Sequence, residues 1–286
     1  MGIVLGANQY GKAENRVVRI YRDPGGGGRH EIRDLNVSTS LRGDFADAHV
    51  TGDQGGVLPT DTQKNTAFAY AKEHGVTSPE DYALALGRRL LTACPAAAEA
   101  VIGVEEYAWD RLTDHAFVRR GTETRTVEVV AGETTAKVRS GFTDLTVLKS
   151  TGSEFKGFLV DEYTTLAETD DRILATSLTA TWTHGLDGID HRPGVDWEAS
   201  YAAVRALLLE TFATTYSRAL QESLHAMGRV VLQTYDAIAE ISFVAPNKHH
   251  FLVDLSPFGL ENPGEVFIAA DRPYGLIEAT VTRDEE

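Results

Sequence analysis

The chain has 286 residues, of which 42% are hydrophobic and 24% charged, a composition typical of a globular protein with a sizeable core. Its formal net charge of −15 argues against nucleic acid as a partner, because binding phosphates requires clustered lysines and arginines. The single cysteine, Cys94, excludes an intramolecular disulfide and suits a reducing compartment. The sequence shows neither an apolar run of bilayer length nor a secretion leader. We therefore expect a soluble cytoplasmic protein with no membrane partner.

The chain begins with a predicted hairpin. Residues 16–21 and 32–41 have the apolar and β-branched character of strands, and the glycines Gly25–Gly28 between them predict a flexible loop. A phosphate-binding loop is disfavoured, because neither Gly-Lys-Ser/Thr nor the start of a helix follows.

Two helices are predicted next. Thr60 or Asp61 is placed to cap the first helix, which should end just before Gly75. The second helix should open at Ser78 and Pro79, because a serine cap followed by proline at the first helical position is a strong start pattern. Strands at residues 101–109 and 125–130 complete this half of the chain.

The second half predicts the same order of elements, with a long helical region at residues 197–227 between strands. Neither a linker nor a low-complexity segment separates the halves, so we expect one continuous sheet. The predicted division is residues 1–132 and 133–286. The strands predicted in this half cover residues 134–149, 173–182, 240–244, 251–255 and 265–269.

Three short polar segments could carry chemistry, although each has a plain structural explanation. Lys12 at the entrance of the first strand would, alone, be a solvated lysine. Thr60 and Asp61 lie at a helix start, which can hold a polar or anionic group as well as a cap. His249 and His250 suggest a metal pair, but adjacent strand residues point to opposite faces. We therefore expect no metal site, and only one of the two histidines facing a pocket.

The most informative stretch runs from Leu145 to Arg172. It combines an aromatic ring at Phe155 with an isolated basic side chain at Arg172. Such a pair suits a flat, anionic, hydrogen-bonding heterocycle, because the ring can stack and the guanidinium offers a rigid planar fork.

Together these segments resemble urate oxidase (uricase), most of all its bacterial members, over nearly the whole length and in the family's order. Two departures concern assembly more than chemistry. Val160 replaces an expected basic residue, and an acidic tail stands where bacterial members tend to carry a longer C-terminal segment. The matching motifs are YGK at 10–12, HEIRDLNV at 30–37, LRGDF at 41–45, TDTQKNT at 60–66, the stretch 145–172, PNKHHF at 246–251 and ADRPYGLIEAT at 270–280.

The resemblance implies how the substrate is held. Phe155 matches the residue on which the purine ring stacks. Arg172 and Gln221 match the residues that hold opposite edges of urate. Leu220 matches the position whose backbone N–H contributes beside the glutamine.

The resemblance also implies which residues take part in the chemistry. Thr60 and Asp61 match the pair that closes the site from a neighbouring subunit. Asn247, together with Thr60, matches the residues that hold dioxygen or water above the ring. Lys12, Thr60 and His249 match the family's proton relay.

The implied fold is the tunnelling fold (T-fold), an α+β fold in which two ββααββ modules form one antiparallel sheet with helices on its outer face. Chains pair into barrels that stack into a homotetramer with its sites at subunit interfaces. The implied reaction turns urate, dioxygen and water into 5-hydroxyisourate and hydrogen peroxide without a cofactor. Two alternatives stay open: another T-fold enzyme acting on a purine or pterin ring, usually with zinc ligands, and a non-catalytic purine-binding protein.

Overall fold

The structure, a computed structural model, describes residues 2–22, 28–185 and 195–284. Most of the predicted glycine loop, Gly25–Gly27, therefore lies outside the described residues. Within them, no helix is long and apolar enough to pass through a membrane. The elements, in chain order, are β1 (Tyr10–Tyr21), β2 (Glu31–Gly43), α1 (Ala46–Val50), α2 (Thr60–Glu73), α3 (Pro79–Ala93), β3 (Ala97–Glu106), β4 (Trp109–Arg111), β5 (Phe117–Arg119), β6 (Thr124–Ala131), β7 (Ala136–Lys149), β8 (Leu174–His184), α4 (Trp197–Thr214), α5 (Leu220–Thr234), β9 (Ile238–Leu252) and β10 (Phe267–Thr282).

Eight of these strands are hydrogen-bonded neighbours in one sheet, in the order β1-β2-β3-β6-β7-β8-β9-β10, while β4 and β5 form a separate two-stranded ribbon. The pairs β1–β2, β2–β3, β3–β6 and β9–β10 are antiparallel. Consecutive strands of an antiparallel sheet need only short connections, and helices occupy the longer ones. The architecture is therefore α+β.

The chain divides into two compact units, Met1–Phe142 with Trp182–Ala202 and Thr143–Thr181 with Ala203–Glu286. The predicted module boundary after residue 132 falls between β6 and β7 and stays a prediction. In the first unit α2 packs on β1, and α3 on β3 and β6; in the second, α5 packs on β9 and β10. Fully buried side chains of these cores include Leu35, Leu41, Leu86, Leu90 and Ile102 in the first unit, and Leu208, Leu224 and Phe243 in the second.

Three sequence predictions of element bounds are wrong. The helical region predicted at 197–227 contains the two helices expected for this half, which separate where Ser217 pairs with the segment around Ser153, but the second helix extends to Thr234. The strands at 240–244 and 251–255 are one strand, β9, which pairs with β10 along most of its length. That partner strand extends to Thr282, well beyond the predicted 265–269.

Of the three predicted helix ends, one prediction is wrong and two are confirmed. Thr60 and Asp61 do not cap α2, because the cap position is Pro59, which makes no side-chain capping bond. Ser78 caps α3 as predicted, and its Oγ accepts a hydrogen bond from the Asp81 backbone N–H at 3.0 Å. Gly75 follows α2 with a φ of +75°, the left-handed conformation that glycine adopts most readily.

Candidate active site

A cavity of about 690 Å³ lies within the second unit. Its walls come from the segment that follows β7, the first residues of α5, the last residues of β9 and two positions of β10. Residues far apart in sequence therefore meet around one space. Six of the residues singled out in the sequence line it: Phe155, Arg172, Leu220, Gln221, Asn247 and His249.

Phe155 and Arg172 form one wall of this cavity. The backbones of Phe155 and Thr169 exchange two hydrogen bonds, with N···O distances of 2.9 and 3.0 Å, which brings the two ends of the segment together. The Arg172 guanidinium carbon lies 5.0 Å from the centre of the Phe155 ring. Phe158 stacks on the same ring with centres 5.1 Å apart and planes at 16°. An aromatic surface and a cation thus stand side by side.

Arg172 is half-buried and carries an uncompensated charge. Among the described residues, no carboxylate lies within ion-pair distance of its guanidinium. Burial lowers the pKa of Arg172, because water is removed and no anion replaces it. A desolvated cation without an anionic neighbour favours the binding of an anion.

The start of α5 forms the opposite wall. Leu220, which is 2% exposed, and Gln221 are its first two residues. The first N–H groups of a helix have no acceptor within the helix, and the preceding residue, Ala219, offers no side-chain acceptor either. The backbone N–H groups and the Gln221 amide can therefore hydrogen-bond a ligand in the cavity.

Asn247, His249 and His250 contribute from β9, where the ladder to β10 is interrupted. Ala270 pairs with His249 and Gly275 with Asn247, so four residues of β10 stand opposite Lys248 alone. This register shift opens the sheet beside both histidines, and both line the cavity. The prediction that only one histidine borders a pocket is therefore wrong.

The two histidine rings are oriented differently. The His249 ring stacks on Phe251, with centres 5.9 Å apart and planes at 26°. A ring nitrogen of His250, Nδ1, lies 3.1 Å from the Lys248 carbonyl oxygen, within hydrogen-bond distance. Within the described part of the chain, no group of three or more His, Cys, Asp or Glu residues could hold a metal ion.

Lys12, Thr60 and Asp61 belong to the first unit and do not line this cavity. Lys12 lies at the start of β1, where its backbone N–H donates to Thr39 Oγ1 at 3.4 Å. The same Thr39 hydroxyl donates to Gln63 Oε1 of α2 at 2.7 Å, and Gln63 is fully buried. The start of β1 is thereby tied to the first turn of α2, the turn that carries Thr60 and Asp61.

The charges near the start of α2 influence one another. Asp61 accepts hydrogen bonds from the Lys64 ammonium and from the Asn65 amide, the latter at 2.9 Å. The Lys64 ammonium lowers the pKa of Asp61, and the charge of Lys12 adds to this effect.

Gly11 permits this close approach of β1 and β2. A Cβ atom on residue 11 would lie 1.8 Å from the Thr39 carbonyl oxygen, far inside contact distance. Glycine is therefore the residue that this position accepts without moving either strand.

The sequence did not point to three serines that lie behind the cavity walls. Ser153, Ser217 and Ser223 are almost completely buried, whereas serine is usually a surface residue. Their nearness in sequence to Phe155, Leu220 and Gln221 is the one signal that could have identified them.

Comparison with known families and proteins gives one consistent result. The family model described as uricase matches residues 8–130 and 138–278. A uricase from Arthrobacter globiformis is 50% identical over 284 residues, which cover 99% of this chain and 91% of the relative. A uricase from Emericella nidulans is 36% identical over 293 residues, covering 98% and 97%.

Solved structures agree. The crystal structure of uricase from Arthrobacter globiformis matches with a TM-score of 0.93 at 49% identity, covering 100% of this chain and 97% of the other. A uricase from Bacillus fastidious matches with a TM-score of 0.79 at 22% identity, covering 96% and 93%, which bears on the fold alone. The predicted α+β T-fold is confirmed.

Proposed function

We propose how the site works from the premise that this chain belongs to the uricase family, as its sequence motifs predicted. The chain is a urate oxidase. Urate, dioxygen and water become 5-hydroxyisourate and hydrogen peroxide in the degradation of purines. Two electrons leave the urate ring and reduce dioxygen to peroxide, while water supplies the hydroxyl group that adds to the ring.

The observation that carries the proposed binding mode is the half-buried Arg172, which has no carboxylate partner in the described part of the chain and lies over the Phe155 ring. Urate is a planar anion, so it can stack on the Phe155 ring while one of its edges takes two hydrogen bonds from the guanidinium fork. The guanidinium now rests near the ring face at 5.0 Å. Urate would take the place of the guanidinium on the face of Phe155, and the guanidinium would move to the edge of the urate ring.

The opposite edge of urate would be held from the start of α5. The Gln221 side chain offers an acceptor and two donors, which match an edge that presents both N–H and C=O groups. The neighbouring backbone N–H of Leu220 adds a donor. Asn247, on the β9 wall, would hold dioxygen or water above the stacked ring.

The proton transfers are assigned to Lys12, Thr60 and His249. In this proposal the Lys12–Thr60 pair, with His249, removes a proton from bound urate, and electron transfer to dioxygen near Asn247 follows. No cofactor is needed, because urate itself is the electron donor.

The resemblance supports a homotetramer in the cytoplasm in which Thr60 and Asp61 close the site of a neighbouring subunit. The hydrogen bonds that tie the start of β1 to the first turn of α2 through Thr39 support Lys12, Thr60 and Asp61 acting as one group. The active site would then combine residues of two chains.

Replacing Lys12 tests the assignment. Because proton transfer by a positioned side chain contributes about 10²–10⁴-fold, Lys12→Met should reduce turnover by at least roughly 100-fold and change urate binding only a few-fold. Turnover is followed as loss of urate absorbance together with oxygen uptake, with and without EDTA.

The matched control is Lys72→Met, which removes an exposed lysine from the last turn of α2. It should behave as the unmodified enzyme. Near-normal peroxide release by Lys12→Met would contradict the assigned role of Lys12, and loss of turnover in EDTA would contradict a cofactor-free reaction.

A further inference from the structure

Three buried serines connect the elements that carry the two edge-binding residues of the cavity. Ser153 and Ser217 are 0% exposed and Ser223 is 1% exposed. None of them lines the cavity itself. A buried hydroxyl destabilises a protein unless it makes a hydrogen bond. Three buried serines close together therefore indicate that their hydrogen bonds hold the surrounding segments in place.

Ser153 holds Arg172. The Arg172 backbone N–H donates to the Ser153 carbonyl oxygen at 2.8 Å, and the side-chain Nε donates to Ser153 Oγ at 3.4 Å. The first contact fixes the backbone from which the guanidinium projects. The second, longer contact restrains the stem of the side chain.

Ser217 and Ser223 hold the start of α5. Ser217 Oγ donates to the carbonyl oxygen of Ala219, the residue that precedes the helix, at 2.9 Å. Ser223 Oγ donates to Ser217 Oγ at 2.8 Å from within the first turn. The position of Gln221 therefore depends on Ser217.

The two halves meet where Ser153 pairs with Ser217 as a parallel bridge. The Ser217 backbone N–H donates to the Gly152 carbonyl oxygen at 3.0 Å, and the Glu154 backbone N–H donates to the Ser217 carbonyl oxygen at 2.9 Å. Arg172 and Gln221, which belong to different elements, are thus joined through one short hydrogen-bonded path.

We propose that Ser153, Ser217 and Ser223 act as a spacer that sets the separation between Arg172 and Gln221, and that this separation selects the width of the bound ring. The inference rests on the proposed function, in which these two residues hold opposite edges of urate. A two-edge clamp needs its groups within about 0.5 Å of the productive positions. A rigid spacer therefore favours a fused two-ring purine over a single-ring pyrimidine, which cannot reach both edges.

The direct test is Ser217→Ala, which removes the central hydroxyl and leaves that of Ser223 without its acceptor. We expect the KM for urate to rise about tenfold, because the start of α5, and with it the Gln221 edge contact, loosens, while kcat stays within about twofold. Ser223→Ala, which removes only the outer hydroxyl, should raise KM by about threefold.

The matched control is Thr176→Val. Thr176 is 1% exposed in the same unit, and its hydroxyl has no hydrogen-bond partner among the residues that the structure describes. The substitution removes a buried hydroxyl of similar size outside the spacer. It should change neither KM nor kcat.

A second measurement reports ring width itself. Xanthine, a two-ring purine, and uracil, a single-ring pyrimidine, are compared as competitive inhibitors of urate oxidation. The inhibition constant of uracil divided by that of xanthine should fall about threefold to tenfold in Ser217→Ala. The reason is that the affinity for xanthine decreases while the affinity for uracil hardly changes. A merely structural weakening would not alter this ratio.

An unchanged KM and an unchanged inhibitor ratio in both serine variants would overturn the spacer. If Ser217→Ala does not fold, Ser223→Ala decides alone by the same two readouts. Failure of the unmodified protein to oxidise urate would instead overturn the proposed function, so the two failures are distinguishable.

Discussion

Each of the two units holds an arginine that is at least half-buried, and the surroundings of the two arginines differ. Arg125 in the first unit is 7% exposed and pairs with Glu80 and Glu198 at 2.8 Å and with Glu106 at 3.4 Å. Arg172 in the second unit is half-buried, and no carboxylate among the described residues lies within ion-pair distance of it.

The pKa values separate the two cases. Burial alone would lower the pKa of Arg125, but the neighbouring carboxylates, Glu80 first among them, outweigh burial and raise it. For Arg172 burial acts unopposed and lowers the pKa. A buried cation surrounded by carboxylates contributes to the fold, whereas one without them keeps its hydrogen-bond donors for a ligand.

Removing Arg125 should have the largest effect on stability. Arg125→Met leaves the carboxylate of Glu80, which is 0% exposed, with Ser140 as its remaining side-chain donor among the described residues, at 2.7 Å. Breaking a buried pair in this way costs about 3–5 kcal/mol of unfolding free energy, measured by urea denaturation.

The pH dependence of this loss has a definite sign. Burial raises the pKa of Glu80 above its ordinary 4.5, so the folded variant binds a proton more readily than the unfolded chain. The unfolding free energy of Arg125→Met should then fall as the pH rises through the pKa that Glu80 has in the folded protein. The difference from the unmodified protein should therefore be greater at about pH 8 than at about pH 5. The double variant Glu80→Gln/Arg125→Met should recover part of it. A loss below about 1 kcal/mol would place Arg125 in the same class as Arg172.

Removing Arg172 should reverse the pattern. Arg172→Met should change the unfolding free energy by less than about 1 kcal/mol, because among the described residues it leaves no carboxylate unpaired and removes only the long 3.4 Å hydrogen bond to Ser153 Oγ. The KM for urate should rise about 100-fold with the loss of two charge-assisted hydrogen bonds. The two quantities come from urea denaturation and from urate turnover.

Ligand stabilisation gives a second comparison. Xanthine at ten times its Kd should add about 1.4 kcal/mol to the stability of the unmodified enzyme and almost nothing to that of Arg172→Met. Arg172→Lys should recover only a small part, because lysine lacks the planar fork. A loss of several kcal/mol in Arg172→Met without ligand would break the distinction between the two arginines.

Replacing Lys149 should have the smallest effect on substrate binding, and it tests whether every partly buried cation without a carboxylate partner serves the substrate. Its ammonium also lacks a carboxylate among the described residues, and burial lowers its pKa, but it donates to the Thr215 carbonyl oxygen beyond α4 at 2.5 Å. Lys149→Met should cost about 1 kcal/mol in urea denaturation and leave KM unchanged. An increased KM would mean that an ammonium with a backbone acceptor can also serve the substrate.

The sequence predicted the features that short local patterns determine. The cap at Ser78 and the glycine after α2 each depend on a few adjacent residues, and both are confirmed. The contiguous motifs also contain four of the residues that line one cavity, Phe155, Arg172, Asn247 and His249, whereas Leu220 and Gln221 were matched singly through the resemblance. Their roles there remain a proposal.

The features that the sequence did not predict depend on contacts between distant segments. Nothing near Ser217 indicates that it pairs with Ser153, yet this bridge separates α4 from α5. The continuity of β9 through Pro246 likewise follows from its long pairing with β10. At Thr60 the local pattern itself misled, because Pro59 occupies the cap position.

Gly11 has a consequence for mutational tolerance. Any side chain at this position would collide with the backbone of Thr39, the residue that bonds the neighbouring Lys12. A substitution library across the entrance of β1 should therefore find residue 11 as intolerant as residue 12, although a glycine supplies no reactive group. In a scan that reads activity alone, a steric requirement of the backbone would look like a chemical one.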